Sequence, residues 1–153
     1  MSKIIQGLLV GLVGLGLASG VSAQERASKD EALKVVKDAI KMCQDKGAEA
    51  VIEEANKPET KFKFKDSYLF IYDKDGVNKS HVNPKMIGKN LLEMRDADGK
   101  YLNKNFIEIG NKGGGWQDYR WPNSVSKAVE AKSSYVEKCK DHYFIAGFYL
   151  PTK

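Results

Sequence analysis

Histidine and cysteine are scarce in this 153-residue chain, which holds two of each: His81, His142, Cys43 and Cys139. Neither cysteine belongs to a CxxC motif or stands among histidines, so a zinc centre or a dithiol redox site has no support. There is no GxSxG elbow and no legible acid–base pair, which leaves hydrolytic catalysis without its parts. Gly113-Gly114-Gly115 is not followed by Gly-Lys-Ser/Thr, so it reads as a helix stop rather than a phosphate cradle. Asp73-x-Asp75-Gly76 and Asp96-x-Asp98-Gly99 lack the third acid and the closing glutamate of a calcium loop and read as turns. Charge of one sign does not dominate either. Lys and Arg number 25 against 20 acids, interspersed along the chain, giving +5 overall. That balance describes a solvated surface rather than a nucleic-acid groove. No metal, cofactor or nucleic acid is therefore expected, nor is an enzyme.

The one long apolar run is at the start. Met1-Ser2-Lys3 is a short basic opening, Ile4–Leu17 is rich in Leu, Val and Gly, and Val21-Ser22-Ala23 is a small-residue cleavage site. This is the pattern of a secretory signal peptide over residues 1–23, with cleavage before Gln24. An uncleaved membrane anchor is the alternative, but the run is short of the ~20 residues a bilayer needs, and four glycines interrupt it. No cysteine follows it to carry a lipid. A periplasmic or secreted location is expected, with membrane contact only through an uncleaved signal peptide. Removing Lys3 leaves +4. Residues 24–153 read as one domain, without internal repeat, linker or low-complexity segment.

Ser28-Lys29-Asp30-Glu31 has capping-box spacing, and Ala32, Val35, Val36, Ala39, Ile40 and Cys43 fall on one face of the helix that follows. Cys43 is thus on the buried face. In an exported chain the expected state is a Cys43–Cys139 disulfide, with two buried free thiols as the alternative. A second helix is expected over Ala48–Ala55. Strands are expected at Tyr68–Asp73, Val77–Val82, Gly115–Trp121, Val129–Lys138 and Tyr143–Leu150, with the Asp73–Gly76 turn joining the first two. Between the second and third strands lies an insertion with short helical turns and a helix over Tyr101–Asn111.

The candidate site residues are cations and aromatics on these strands. Alternation puts Trp116 and Arg120 on one face of the third strand and Tyr119 and Trp121 on the other. A guanidinium among rings needs an anionic partner. That partner is either a ligand or Asp118 or Glu130, unless Arg120 stacks on a tryptophan at the rim. Lys132, three residues before Tyr135, poses the same question. His81, at a strand end before Asn83-Pro84, is either a pocket residue or a structural strand-end group, while His142 reads as exposed.

Four segments then resemble the single Cache family in the family's order: YLFIYDKDGVNKSHVNPKMIGKNL, DADGK, GGGWQDYRWPN and AKSSYVEKCKDHYFIAGFYL. The resemblance implies an α+β, PAS-like five-stranded antiparallel sheet, with the long N-terminal helix on one face and the helical insertion over the other. It also implies non-catalytic binding of a small metabolite, most simply a short organic acid, and a membrane-bound sensor as partner. The family usually sits between two membrane helices. This chain stops three residues after its last strand, so a soluble ligand-binding domain is expected. By position, the resemblance implies a pocket drawn from Tyr68, Phe70, His81, Met86, Trp116, Tyr119, Arg120, Lys132 and Tyr135. A structural or protein-interaction module, its pocket filled by its own side chains, is the other reading.

Overall fold

In the computed structural model, which describes residues 25–151, Ser28 opens helix α1 at Lys29–Lys46. Its hydroxyl accepts from Glu31 N while the Glu31 carboxylate accepts from Ser28 N, the reciprocal cap that the spacing predicts. The expected export signal at Met1–Ala23 lies outside the described residues. Gly47, at φ 89°, ends α1 and leads into α2 at Ala48–Ala55.

The strands are β1 (Lys63–Phe64), β2 (Ser67–Asp73), β3 (Asn78–Ser80), β4 (Gly115–Pro122), β5 (Val129–Cys139) and β6 (His142–Tyr149). They form one antiparallel sheet in the order β1-β2-β6-β5-β4, with β3 also paired to β2. The sheet therefore has one strand more than the five expected. The extra strand, β1, is two residues long, too short to show alternation in sequence, and Lys65 at φ 49° turns the chain back into β2. The β2–β3 turn is held by Asp73, whose Oδ1 accepts from Asp75 N and Val77 N, with Gly76 at φ 81°. Between β3 and β4 the insertion makes a 3-10 turn at Pro84–Met86 and helix α3 at Asn103–Asn111.

Each face of the sheet carries its own core. On one side α1 and α2 cover Leu69, Ile71, Phe144 and Ala146 with Val36, Ala39, Ile40 and Val51. The Cys43–Cys139 disulfide is present there and ties α1 to the end of β5, with Cα atoms 6.5 Å apart. On the other side Phe106 of α3, with Leu102, covers Tyr68, Phe70, Tyr72, Tyr119, Tyr143 and Ile145. This double cover explains why β2 is buried along nearly its whole length. Gly110 lets α3 approach the sheet, because a Cβ there would stand 2.6 Å from the Tyr143 ring.

Candidate functional site

Strand register gathers the chemistry of the α3 side. Tyr119 of β4 pairs with Lys132 of β5, which in turn pairs with Tyr149 of β6. Three side chains of one row thus point to the same face, with Tyr68 and Phe70 of β2 beside them. Lys132 is completely buried, and its Nζ has no hydrogen-bond partner among the described residues. Three rings surround that nitrogen, with centroids at 4.6 Å for Tyr68, 4.9 Å for Tyr149 and 5.7 Å for Phe70. Cation–π contact of this kind offsets part of the desolvation of an ammonium but replaces no anion. Burial pushes the amine down to about 7, and the field of Asp66 opposes the shift.

The acids near Lys132 are spent elsewhere. Asp66 accepts from Ala27 N at 2.8 Å and from the Asn123 amide at 3.2 Å. Glu130, two residues away on β5, holds Arg26 and the Ser126 hydroxyl, both at 2.6 Å. The amine is left facing rings, with no carboxylate in hydrogen-bond contact among the described residues.

Tyr68 and His81 stand where three spaces meet. A cleft of about 270 Å³ runs between the α2–β1 connection and the Val82–Ile87 loop. A second, of about 450 Å³, lies between that loop and Trp121–Lys127. An inner void of about 10 Å³, bounded by Phe70, Tyr72, Phe106, Tyr119 and Trp121, leads under α3. Tyr68 and His81 line all three. The Tyr68 hydroxyl lies 3.3 Å from His81 Nε2, and His81 Nδ1 accepts from Asn83 N at 2.9 Å. Burial, aided by the nearby Lys132 cation, pushes His81 down to about 3, so the ring is neutral. Burial also raises the Tyr68 and Tyr119 phenols.

Of the residues expected by position, the structure brings Tyr68, Phe70, His81, Met86, Tyr119 and Lys132 to this region, Met86 at the rim of the larger cleft. It does not bring Trp116, Arg120 or Tyr135 there. Trp116 and Tyr135 stack on each other at 5.3 Å, with Phe148 on Trp116 and the Lys37 cation over Tyr135, on the α1 face. Arg120 is on the edge strand, half exposed, and its guanidinium reaches Asp98 at 3.7 Å. Neither of the acids considered for it, Asp118 or Glu130, is its partner. His142 is half-buried rather than exposed, because it pairs with both Cys139 and Asp73 across the sheet. Sequence reasoning missed Tyr149 and Phe106 as site-lining residues. The run Tyr143, Ile145, Gly147, Tyr149 alternates on the last strand and contains the signal for Tyr149.

The comparisons with known proteins fit this geometry. The pattern of the family described as single Cache domain 2 matches residues 19–150. The chain belongs to the single Cache domain family. This Cache domain is similar to the sensor histidine kinase MctS of Rhizobium johnstonii, at 28% identity over 149 residues and 96% of the chain. It spans 29% of that kinase's length. A methyl-accepting chemotaxis protein from Vibrio parahaemolyticus superimposes with a TM-score of 0.65 at 25% identity, covering 79% of this chain and 87% of that one. A Cache chemosensory domain whose structure concerns carboxylic acid recognition superimposes equally well, at 0.65 and 23% identity over 80% of this chain and 92% of its own, and shares the fold. Among the described residues no helix is long and apolar enough to cross a membrane.

Proposed function

We propose that this Cache domain is a non-catalytic receptor for a short organic acid, acting outside the cytoplasm and passing its occupancy to a membrane-bound sensor. One observation carries the reading: a fully buried lysine whose amine has no hydrogen-bond partner among the described residues, ringed by Tyr68, Phe70 and Tyr149, with Tyr68 itself lining the clefts that open to solvent. A carboxylate entering past Tyr68 would supply the missing charge, while Phe70, Phe106 and Trp121 enclose a short apolar tail. The sensor and chemoreceptor relatives support the same direction.

A specific observation supports the second reading, that of an interaction module filled by its own side chains. The inner void holds about 10 Å³, room for roughly one water, and Lys132 is already caged by rings of its own chain. Thermal unfolding against a panel of two- to four-carbon carboxylates separates the two. A ligand at about 100 times its Kd adds roughly 2.7 kcal/mol to stability. Absence of any shift across the panel would remove the receptor reading in favour of the second.

A further inference from the structure

His81 has its hydrogen-bonding roles fixed by the backbone. Asn83 N–H is a donor under all conditions, and it points at His81 Nδ1 at 2.9 Å, so Nδ1 carries no proton. If the Tyr68 hydroxyl also donated to Nε2, the ring would have no proton at all, an imidazolate. The only consistent arrangement has Nε2–H donating to the Tyr68 oxygen across 3.3 Å. With its oxygen receiving, Tyr68 keeps its own proton to give, and no acceptor for it exists among the described residues. The chain of donors therefore runs from Asn83 N–H through the imidazole to Tyr68 O–H, and its free end is at the junction of the three spaces.

The ring is held in this pose from several sides. His81 packs edge-on against Tyr68, at 5.0 Å and 70°, and against Trp121, at 6.4 Å and 71°, with Phe70 at 6.0 Å. Asn83 is itself pinned, since its side chain accepts from Lys85 N and Pro84 follows it in the 3-10 turn. A histidine whose only task was to end a strand would not need its tautomer set by one neighbour and its proton given to a tyrosine.

We infer that His81 is a positioning residue. Held as the Nε2–H tautomer by Asn83, it turns the Tyr68 hydroxyl proton toward the bound acid, so that Tyr68 joins Lys132 as a donor and the pair disfavours ligands that themselves donate. The inference rests on the carboxylate reading and deepens it, because Lys132 and Tyr68 would then present an ammonium and a hydroxyl proton to one carboxylate. An alkylammonium of the same size would meet the Lys132 ammonium and the Tyr68 hydroxyl proton, both of them donors.

The test has two arms. In the ligand-free protein, nitrogen-resolved NMR of the imidazole should show a protonated Nε2 and a bare Nδ1, unchanged between about pH 5 and 8 where an ordinary histidine titrates. A protonated Nδ1, or an imidazolium forming in that range, overturns the inference. In the second arm, acetate, propionate and ethylammonium are titrated by calorimetry. His81→Phe keeps the ring volume and should weaken acetate roughly tenfold, the scale of one charge-assisted hydrogen bond. His81→Gln, which retains a donor amide, should restore most of it. In a Tyr68→Phe background His81→Phe should change acetate affinity little further, because His81 acts through the Tyr68 hydroxyl. Additive losses, or full acetate affinity in His81→Phe, overturn it, as does ethylammonium binding as well as acetate. The NMR arm needs no ligand. If the parent chain binds no acid, the receptor reading falls, and the imidazole spectrum alone decides whether the donor chain exists.

Discussion

Lys132 and Tyr149 are cross-strand partners on β5 and β6, and the lysine amine lies 4.9 Å from the centre of the tyrosine ring with no hydrogen-bond partner among the described residues. A buried amine without an anion is a cost that folding bears, and packing alone gives no reason to keep it. Lys132→Met retains the length and most of the volume while removing the polar head. The ligand-free protein should become more stable by about 1–3 kcal/mol. Acetate or propionate binding should weaken by about 2–5 kcal/mol. Urea unfolding and calorimetry on the one variant measure both. A variant that loses stability and keeps affinity would show Lys132 to be a packing residue only.

The same amine predicts a dependence on pH. Burial lowers Lys132 from its ordinary lysine value to about 7. Between that point and the unfolded value near ~10.4, the unfolded chain holds a proton that the folded chain lacks. Stability therefore rises with pH through this window, by at most about 1.4 kcal/mol per unit, and the penalty is present in full below about 7. Acid binding runs the other way, because an anion requires the ammonium. Affinity for acetate should fall roughly tenfold per unit above about pH 7. Parent and Lys132→Met, compared at each pH, cancel the contribution of every other group. Matching slopes in the two proteins would contradict the assignment.

Arg120 provides the contrast. It is half exposed on an edge strand, and its contact with Asp98 at 3.7 Å is a surface ion pair of small worth. Arg120→Ala should change stability by less than about 0.5 kcal/mol and leave acetate affinity as it is. A large loss of affinity would move the site to the opposite face of β4.

The contrast between these two cations shows where the sequence stops being legible. Strand alternation correctly separates Trp116 and Arg120 from Tyr119 and Trp121. It does not say which face α3 covers, because both faces of this sheet carry aromatics and both are buried. Lys132 and Arg120 look alike in sequence, each a cation within an aromatic strand. They differ because β5 is interior, so Lys132 has Tyr119 on one side and Tyr149 on the other, whereas β4 is the edge and leaves Arg120 to solvent. Strand order is a property of long-range pairing, and spacing does not encode it. Capping, turn chemistry and the buried face of α1 are local, and Ser28, Gly76 and Cys43 were readable for that reason. The link between His81 and Asn83 is also local, but its meaning depends on Tyr68 arriving from another strand.

Gly147 sits between Ile145 and Tyr149 on the α3 face of β6, opposite Ser134. A Cβ there would fall 2.0 Å from Ser134 Oγ and 2.5 Å from the Ser133 carbonyl, and the latter cannot turn away as a side chain can. Gly147→Ala should destabilise the fold by about 1–3 kcal/mol through overpacking. It should also disturb Tyr119, whose hydroxyl is bonded to Ser134 at 2.9 Å. Urea unfolding reads the first effect and the near-ultraviolet tyrosine signal the second. A variant as stable as its parent would mean that β5 and β6 can separate locally at no cost.

The disulfide acts on the opposite face from the candidate site, so its loss should separate stability from binding. Cys43 and Cys139 are 96 residues apart in sequence, and the bond joins the buried stripe of α1 to the end of β5. Closing a loop of that length restricts the unfolded chain by about 4–5 kcal/mol on the chain-entropy estimate. Replacing both cysteines by alanine should cost a large part of that, since the pair is buried in the α1 core and leaves no thiol behind. The Tyr68–His81–Lys132 arrangement rests on the α3 face of the sheet, and the bond meets the sheet only at Cys139, the last residue of β5, seven residues beyond Lys132. At a temperature where the double variant remains folded, its acetate affinity should equal the parent's within about a factor of two. Urea unfolding gives the first quantity and calorimetry the second. A double variant that stays as stable as the parent would show that α1 is held by its apolar stripe alone. One that remains folded and loses acetate binding would show that α1 and the site are coupled through β5.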